Sequence, residues 1–97
     1  MVAVDSAIKK AGGENTLTKE HFDQVETFYK HCQKAVRSGT VSNACLNIRG
    51  FVRALKTVAL SCGYSTLKEW IRLSVINTCP FDERQALYSY LDAVVTL

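Results

Sequence analysis

The sequence predicts an all-α domain, a small bundle of about four helices that includes a long antiparallel helical hairpin. Apolar residues recur at intervals of three and four along most of the chain, as they do in helices with one buried face. Apolar and polar residues do not alternate, and no Asn-Gly or Asp-Gly pair marks a turn between strands. With 97 residues, 47% of them hydrophobic, the chain has the length of one domain with a small core.

The first two predicted helices are long and are joined by a short connection. The first runs from about Leu17 to Arg37, and Gly39 follows it as a residue that readily adopts the left-handed conformation of a helix C-cap. The second runs from about Val41 to Cys62. Because only two or three residues separate them, these helices are expected to form the antiparallel hairpin.

The third and fourth helices lie in the C-terminal third of the chain. Thr66 begins a capping-box pattern ahead of the third helix, whose apolar residues on almost every side predict that it is buried. The fourth helix is expected to begin after Thr78, with Pro80 in its first turn. Residues 1–15 are expected to be a loosely ordered lead-in, with one turn of helix as the alternative, and residues 16–97 to form a single domain.

Positive charge is concentrated in the middle of the chain. The net charge is only +3, but residues 27–68 contain no acidic residue. The basic residues of this segment are Lys30, Lys34, Arg37, Arg49, Arg53, Lys56 and Lys68. Solvent-exposed helix faces usually mix the two signs, because acid–base pairs one turn apart each add a few tenths of a kcal/mol. The acid-free segment therefore favours contact with a negatively charged partner.

Three of these residues, Arg49, Arg53 and Lys56, form what we call the basic stripe. At about 100° per residue they fall within about 60° of arc, and they span about 10 Å along the helix axis. In an antiparallel hairpin Arg53 and Lys56 would lie level with Glu26 and Asp23 of the first helix. Ion pairs between the helices, each worth roughly 0–1 kcal/mol at the surface, are therefore the alternative to contact with a ligand.

The first helix adds three more basic residues to this part of the hairpin. Lys30, Lys34 and Arg37 share one helical face and lie beyond the reach of the acidic residues near the start of that helix. The two helices are therefore expected to present an unneutralised basic patch on the half of the hairpin nearest the turn.

A row of small residues flanks the basic stripe, and we call it the small-residue seam. Its members are Asn43, Asn47, Gly50, Ala54, Thr57 and Ser61. A glycine inside a helix costs about 1 kcal/mol relative to alanine, so its presence predicts the close approach of another backbone. That backbone belongs to a neighbouring helix of the same chain, to the matching helix of a second subunit, or to a nucleic acid. The second possibility predicts a dimer interface at Asn47, Gly50 and Ala54.

The four cysteines, Cys32, Cys45, Cys62 and Cys79, are expected to be free thiols. The N-terminus has no basic segment followed by an apolar core, so no signal peptide is predicted and an intracellular, cytoplasmic location is expected. No cysteine pair has the close spacing of a structural zinc site, so no metal is expected. No apolar run approaches the length of about 18 residues that a membrane span requires, which predicts a soluble chain.

No arrangement of residues predicts catalysis or a cofactor. His21 and His31 lie roughly 15 Å apart along the first helix. The sequence has no nucleophile elbow, no phosphate-binding glycine loop and no His-Glu-x-x-His motif. The expectation is that the chain is not an enzyme and needs no cofactor.

The segment NACLNIRGFVRALKTVALSCGYSTLKEWI resembles the central helix and following turn of the nodavirus RNA-silencing suppressors. The shared features are an Ala-Cys-Leu-Asn run, basic residues on one helical face, a turn, and a short helix with an aromatic residue. The resemblance covers about 30 residues. It implies a homodimer in the host cytoplasm that binds double-stranded RNA without regard to sequence. It also implies that Cys45 faces the RNA together with Arg49, Arg53 and Lys56.

Residues and resemblance together predict a homodimeric helical domain that binds double-stranded RNA through phosphates and 2′-hydroxyl groups, as a viral suppressor of RNA silencing. A-form RNA is recognised mainly by shape across its wide, shallow minor groove, and basic residues on each helical turn can reach its phosphates. The alternative is a protein-interaction module without a nucleic-acid role, which would use the exposed parts of EWIRLSVI or LYSYLDAVV.

Overall fold

The computed structural model describes residues 2–12, 17–61 and 66–96, and it confirms the all-α prediction. Within these ranges it contains five α-helices, α1 (Val2–Lys10), α2 (Lys19–Arg37), α3 (Ile48–Leu60), α4 (Leu67–Ser74) and α5 (Phe81–Val94). Two short 3₁₀ helices, Asn43–Leu46 and Ile76–Thr78, lie in the connections before α3 and before α5. Throughout these ranges no residue is in a strand. No helix of the described chain combines the length and hydropathy needed to span a bilayer.

Helix α3 lies at the centre of the packing. It packs mainly against α1 and α4, whereas α2 packs against α5 and the first 3₁₀ helix. The aromatic ring of Phe51 joins α3 to α2, with its centroid 5.9 Å from that of Phe28 and 5.6 Å from that of Tyr29, both in edge-to-face geometry. These rings belong to one continuous core to which every helix contributes.

Helix α1 occupies part of the segment that was expected to be a loosely ordered lead-in. It has nine residues, more than the single turn considered as the alternative, and it packs against α3. Ile8 is fully buried in this contact. A helix as short as α1 is marginally stable by itself, and most of its stability comes from packing against the rest of the protein. The sequence of the helix alone does not reveal that packing.

The predicted bounds of α2 are confirmed to within two residues. Thr18 precedes the helix, and its backbone N–H donates to Nδ1 of His21 at 3.1 Å, which satisfies one of the free donors at the helix start. Gly39 has a φ of +79°, and its N–H donates to the carbonyl of Val36 at 3.1 Å. The glycine therefore ends α2 in the predicted left-handed conformation.

The prediction of a second helix beginning at Val41 is wrong, because α3 begins at Ile48. The side chain of Asn47 accepts a hydrogen bond from the N–H of Gly50 at 3.2 Å and caps α3. The connection from α2 thus covers residues 38–47 in place of two or three residues, and it buries Val41 and Cys45. The predicted end near Cys62 lies outside the described residues, and α3 itself ends at Leu60.

The predicted starts of the last two helices are close to those in the structure. Oγ1 of Thr66 accepts from the N–H of Glu69 at 3.2 Å, which is one of the two hydrogen bonds of the predicted capping box. Pro80 directly precedes α5 and does not lie inside its first turn. The guanidinium of Arg84 donates to the carbonyls of Asn77 and Cys79 at 2.9 and 3.1 Å, which ties the connection between α4 and α5 to α5.

Candidate nucleic-acid interface

The basic stripe lies on the outer face of α3. Arg49 and Arg53 are exposed and Lys56 is half-buried. Because α3 begins at Ile48, Arg49 stands in its first turn, where the helix dipole is positive. A basic side chain does not stabilise the helix at that position. However, its charge adds to the positive end of the helix dipole, and together they attract anions.

The acidic residues of α2 do not neutralise the stripe. Glu26 pairs with Lys30 of its own helix at 3.0 Å, and both side chains are largely exposed. In the described part of the chain, Arg53 and Lys56 form no ion pair with Glu26 or Asp23. The alternative of interhelical ion pairing is therefore not realised in this structure.

The basic residues of α2 occupy two kinds of environment. Lys34 and Arg37 are exposed and form no ion pair with a described residue, whereas Lys30 is held by Glu26. Lys30 and Lys34 border a shallow depression of about 290 Å³ together with His31. The imidazole of His31 stacks on the ring of Tyr90 in α5, with 6.0 Å between centroids. This basic face therefore extends from α2 towards α5.

Lys68 does not belong to the basic surface formed by the stripe on α3 and the basic residues of α2. Its ammonium group pairs with Asp92 of α5 at 2.8 Å, which ties α4 to α5. Of the seven basic residues in the acid-free segment, this one therefore has a structural role.

An apolar groove between α2 and α3 was not predicted from the sequence. This α2–α3 groove has a volume of about 350 Å³ and is lined by Phe22, Val25, Glu26, Tyr29, Ile48, Phe51 and Val52. Arg49 and Lys56 lie three residues before and four residues after Val52 on α3, so these two members of the basic stripe stand beside a lining residue of the groove. On the α2 side, the lining residue Glu26 forms an ion pair with Lys30. The only sign of this groove in the sequence is that Ile48 is apolar. The structure shows that 54% of the surface of this residue is exposed.

Cys45 does not join the basic surface. Only 1% of its surface is exposed, and its thiol lies 3.4 Å from the carbonyl of Ser42, to which it donates. The position facing RNA that the resemblance implies for this residue is therefore not available in this fold.

Gly50, inside the small-residue seam, faces another helix of the same chain. Gly50 and Ala54 are buried. A Cβ atom on Gly50 would lie 2.6 Å from the carbonyl oxygen of Ser74 and 3.1 Å from Cγ2 of Val75. Of the three backbones considered for this close approach, the neighbouring helix is the one present. The predicted dimer interface at Asn47, Gly50 and Ala54 is wrong, since Gly50 and Ala54 are buried within the chain, Gly50 against the end of α4, and the side chain of Asn47 caps α3.

Three thiols lie buried where α2 and the two 3₁₀ segments meet. Cys32, Cys45 and Cys79 are free in the structure, and Cys62 lies outside the described residues. Burial raises the pKa of all three thiols, and the neighbouring thiol of Cys45 adds to the increase at Cys32. They are packed, neutral groups without the lowered pKa that a nucleophilic cysteine needs.

These thiols should make the fold less stable in alkali. Above pH of about 8.5 the unfolded thiols ionise, whereas the raised pKa of the buried thiols, above all that of Cys32, favours their protonated form, so the unfolded chain binds fewer protons. The free energy of unfolding should then fall by up to about 1.4 kcal/mol per pH unit for each thiol. Urea unfolding in reducing buffer between neutral pH and pH of about 9.5 measures this slope. Cys32→Ala should remove the share of one thiol, and a stability that does not change over this range would contradict the prediction.

In the described parts of the chain, no group of three or more histidine, cysteine or acidic side chains has the arrangement needed to hold a metal ion. The basic stripe, the basic face of α2 and the α2–α3 groove are thus the features from which function can be inferred.

The chain matches no family model, and no curated protein or solved structure is significantly similar to it.

Proposed function

We propose that the chain binds double-stranded RNA without regard to sequence, and that the basic stripe on α3 contacts its phosphates. The observation that carries this proposal is that Arg49 and Arg53 are exposed and form no ion pair with any described acidic residue. An unpaired cation at the surface keeps its full attraction for phosphate, because no carboxylate has to be displaced first.

The spacing of the stripe suits a duplex backbone. Its members are one helical turn apart, so α3 can place a cation against the phosphates about every 5 Å. Contacts of this kind position a protein on a duplex but carry no information about base sequence. The A-form shape, with 2′-hydroxyl groups along a wide minor groove, would then distinguish RNA from DNA.

The second row of contacts comes from α2. Lys34 and Arg37 are exposed near the end of that helix and form no ion pair with a described residue. Two helices that each carry cations can follow the two sides of a groove in the duplex. The resemblance to the nodavirus suppressors supports the same proposal, and it adds the role of a homodimeric viral suppressor of RNA silencing in the host cytoplasm.

Gel-shift titrations with double-stranded RNA, single-stranded RNA and duplex DNA of equal length test the proposal. We expect the tightest binding to double-stranded RNA, with equal affinity for unrelated sequences. The logarithm of the affinity should fall linearly with that of the salt concentration between roughly 50 and 200 mM. No binding to double-stranded RNA at the lowest salt concentration, or a strong dependence on base sequence, would refute it.

A protein-interaction module is the second candidate. The observation that favours it is the α2–α3 groove. Its lining is mainly apolar, and contact with phosphate groups does not require an apolar surface. If the chain binds none of the three nucleic acids but does associate with a protein through this groove, the second candidate replaces the first.

A further inference from the structure

The α2–α3 groove has the size and lining of a site for one large apolar side chain. A cavity of roughly 150 Å³ already holds benzene, so a groove of about 350 Å³ has room for a phenyl ring and an adjacent aliphatic group. Its floor is aromatic, with Phe51 against Tyr29 in edge-to-face geometry. A further ring entering beside Tyr29 or Phe22 could adopt the same favourable arrangement.

Phe81 is the most exposed large apolar residue in the described chain. It begins α5, and 83% of its surface is accessible. The guanidinium of Arg84 lies 5.7 Å from the ring centroid, but that group is held by two backbone carbonyls and leaves most of the ring uncovered. The next residue, Asp82, is exposed and forms no ion pair with any described residue. The start of α5 thus presents an aromatic side chain with a carboxylate beside it.

We propose that Phe81 of one copy of this chain binds in the α2–α3 groove of a second copy. The two surfaces are complementary in charge as well as in polarity. The partner's Asp82 would lie near Arg49 and Lys56, which stand beside Val52 of the groove lining and form no ion pair in the described chain. Glu26 on the opposite edge is already neutralised by Lys30, so it does not repel the incoming acid.

This association is separate from the small-residue seam and from the proposed RNA contact. Gly50 and Ala54 of the seam are buried within the chain, so a second copy must use another surface. One carboxylate neutralises one of the three cations in the stripe, and the remaining charge stays available to phosphate. Self-association is therefore measured without nucleic acid, and its outcome does not depend on RNA binding.

Sedimentation equilibrium of the purified chain, from low micromolar to about 1 mM, tests the proposal. We expect wild type to self-associate. Phe81→Ser should weaken the association at least tenfold, because buried aromatic anchors dominate interface energies. Ile48→Asp should do the same by placing a charge in the groove. It leaves the helix intact, since an acidic residue is favourable at the start of α3.

Mixing the two variants gives the sharpest outcome. Phe81→Ser retains an intact groove and Ile48→Asp retains the aromatic side chain, so the mixture should form a one-to-one complex that neither variant forms alone. Leu73→Ser removes another exposed apolar side chain, on α4, and should associate as wild type does. A wild type that stays monomeric, a Phe81→Ser variant with wild-type association, or a mixture without a complex would each overturn the proposal. Far-ultraviolet circular dichroism verifies that each variant is folded.

Discussion

Gly50→Leu is expected to lower the free energy of unfolding by about 3 kcal/mol, the upper end of the usual cost of overpacking a core. A Cβ at this position would lie 2.6 Å from the carbonyl oxygen of Ser74, and a backbone atom cannot move aside as a side chain does. Helix α3 would therefore have to separate from the end of α4, which packs against it at Gly50. Thermal or urea unfolding followed by circular dichroism measures the loss.

Two variants on the same helix serve as controls. Gly50→Ala introduces the same close contact with a smaller side chain, and it regains up to about 1 kcal/mol of helix propensity, so its loss should be smaller. Arg49→Ala changes an exposed residue and should stay within about 0.5 kcal/mol of wild type. If Gly50→Leu unfolds like wild type and affects only the association of two copies, the seam is an interface after all.

Arg49→Ala/Arg53→Ala should weaken binding to double-stranded RNA by on the order of 50-fold at 0.1 M salt, since each lost phosphate contact removes nearly one released counterion. The slope of log affinity against log salt should become shallower by about two units. The loss should be the same for unrelated duplex sequences, because phosphate contacts do not distinguish bases. Folding stability should change little, as both side chains are exposed.

Lys10→Ala/Arg72→Ala is the matched control for charge. It removes two exposed cations outside the acid-free segment, so the net charge falls equally while the stripe stays intact. We expect a much smaller loss of affinity from this control. Wild-type affinity and salt slope in the stripe variant would contradict the proposed contact.

A double-mutant cycle between Arg53 and Glu26 separates the two interpretations of the stripe. The structure places Lys30 against Glu26, so Arg53→Ala and Glu26→Ala should have independent effects on stability. A coupling energy of about 0.5 kcal/mol or more would show that the two helices exchange ion pairs in solution.

The sequence by itself determined the features that depend on neighbouring residues along the chain. The bounds of α2 and its end at Gly39 follow from apolar periodicity and from the one residue type that tolerates a positive φ. The geometry of the basic stripe follows from the helical repeat alone. The signs of the charges in residues 27–68 required no structure either.

Only the tertiary structure decided which surfaces are covered. The start of α3 after Asn47 was not predicted, because Val41 and Cys45 extend the apolar spacing of the helix towards the N-terminus. In the structure these two residues are buried but belong to the connection between α2 and α3. The burial of Gly50 under α4 and the groove between α2 and α3 depend on how helices far apart in sequence pack. Hydrophobic periodicity reports that a face is buried but not what buries it, so the partner of each face is settled only by the packing of the whole chain.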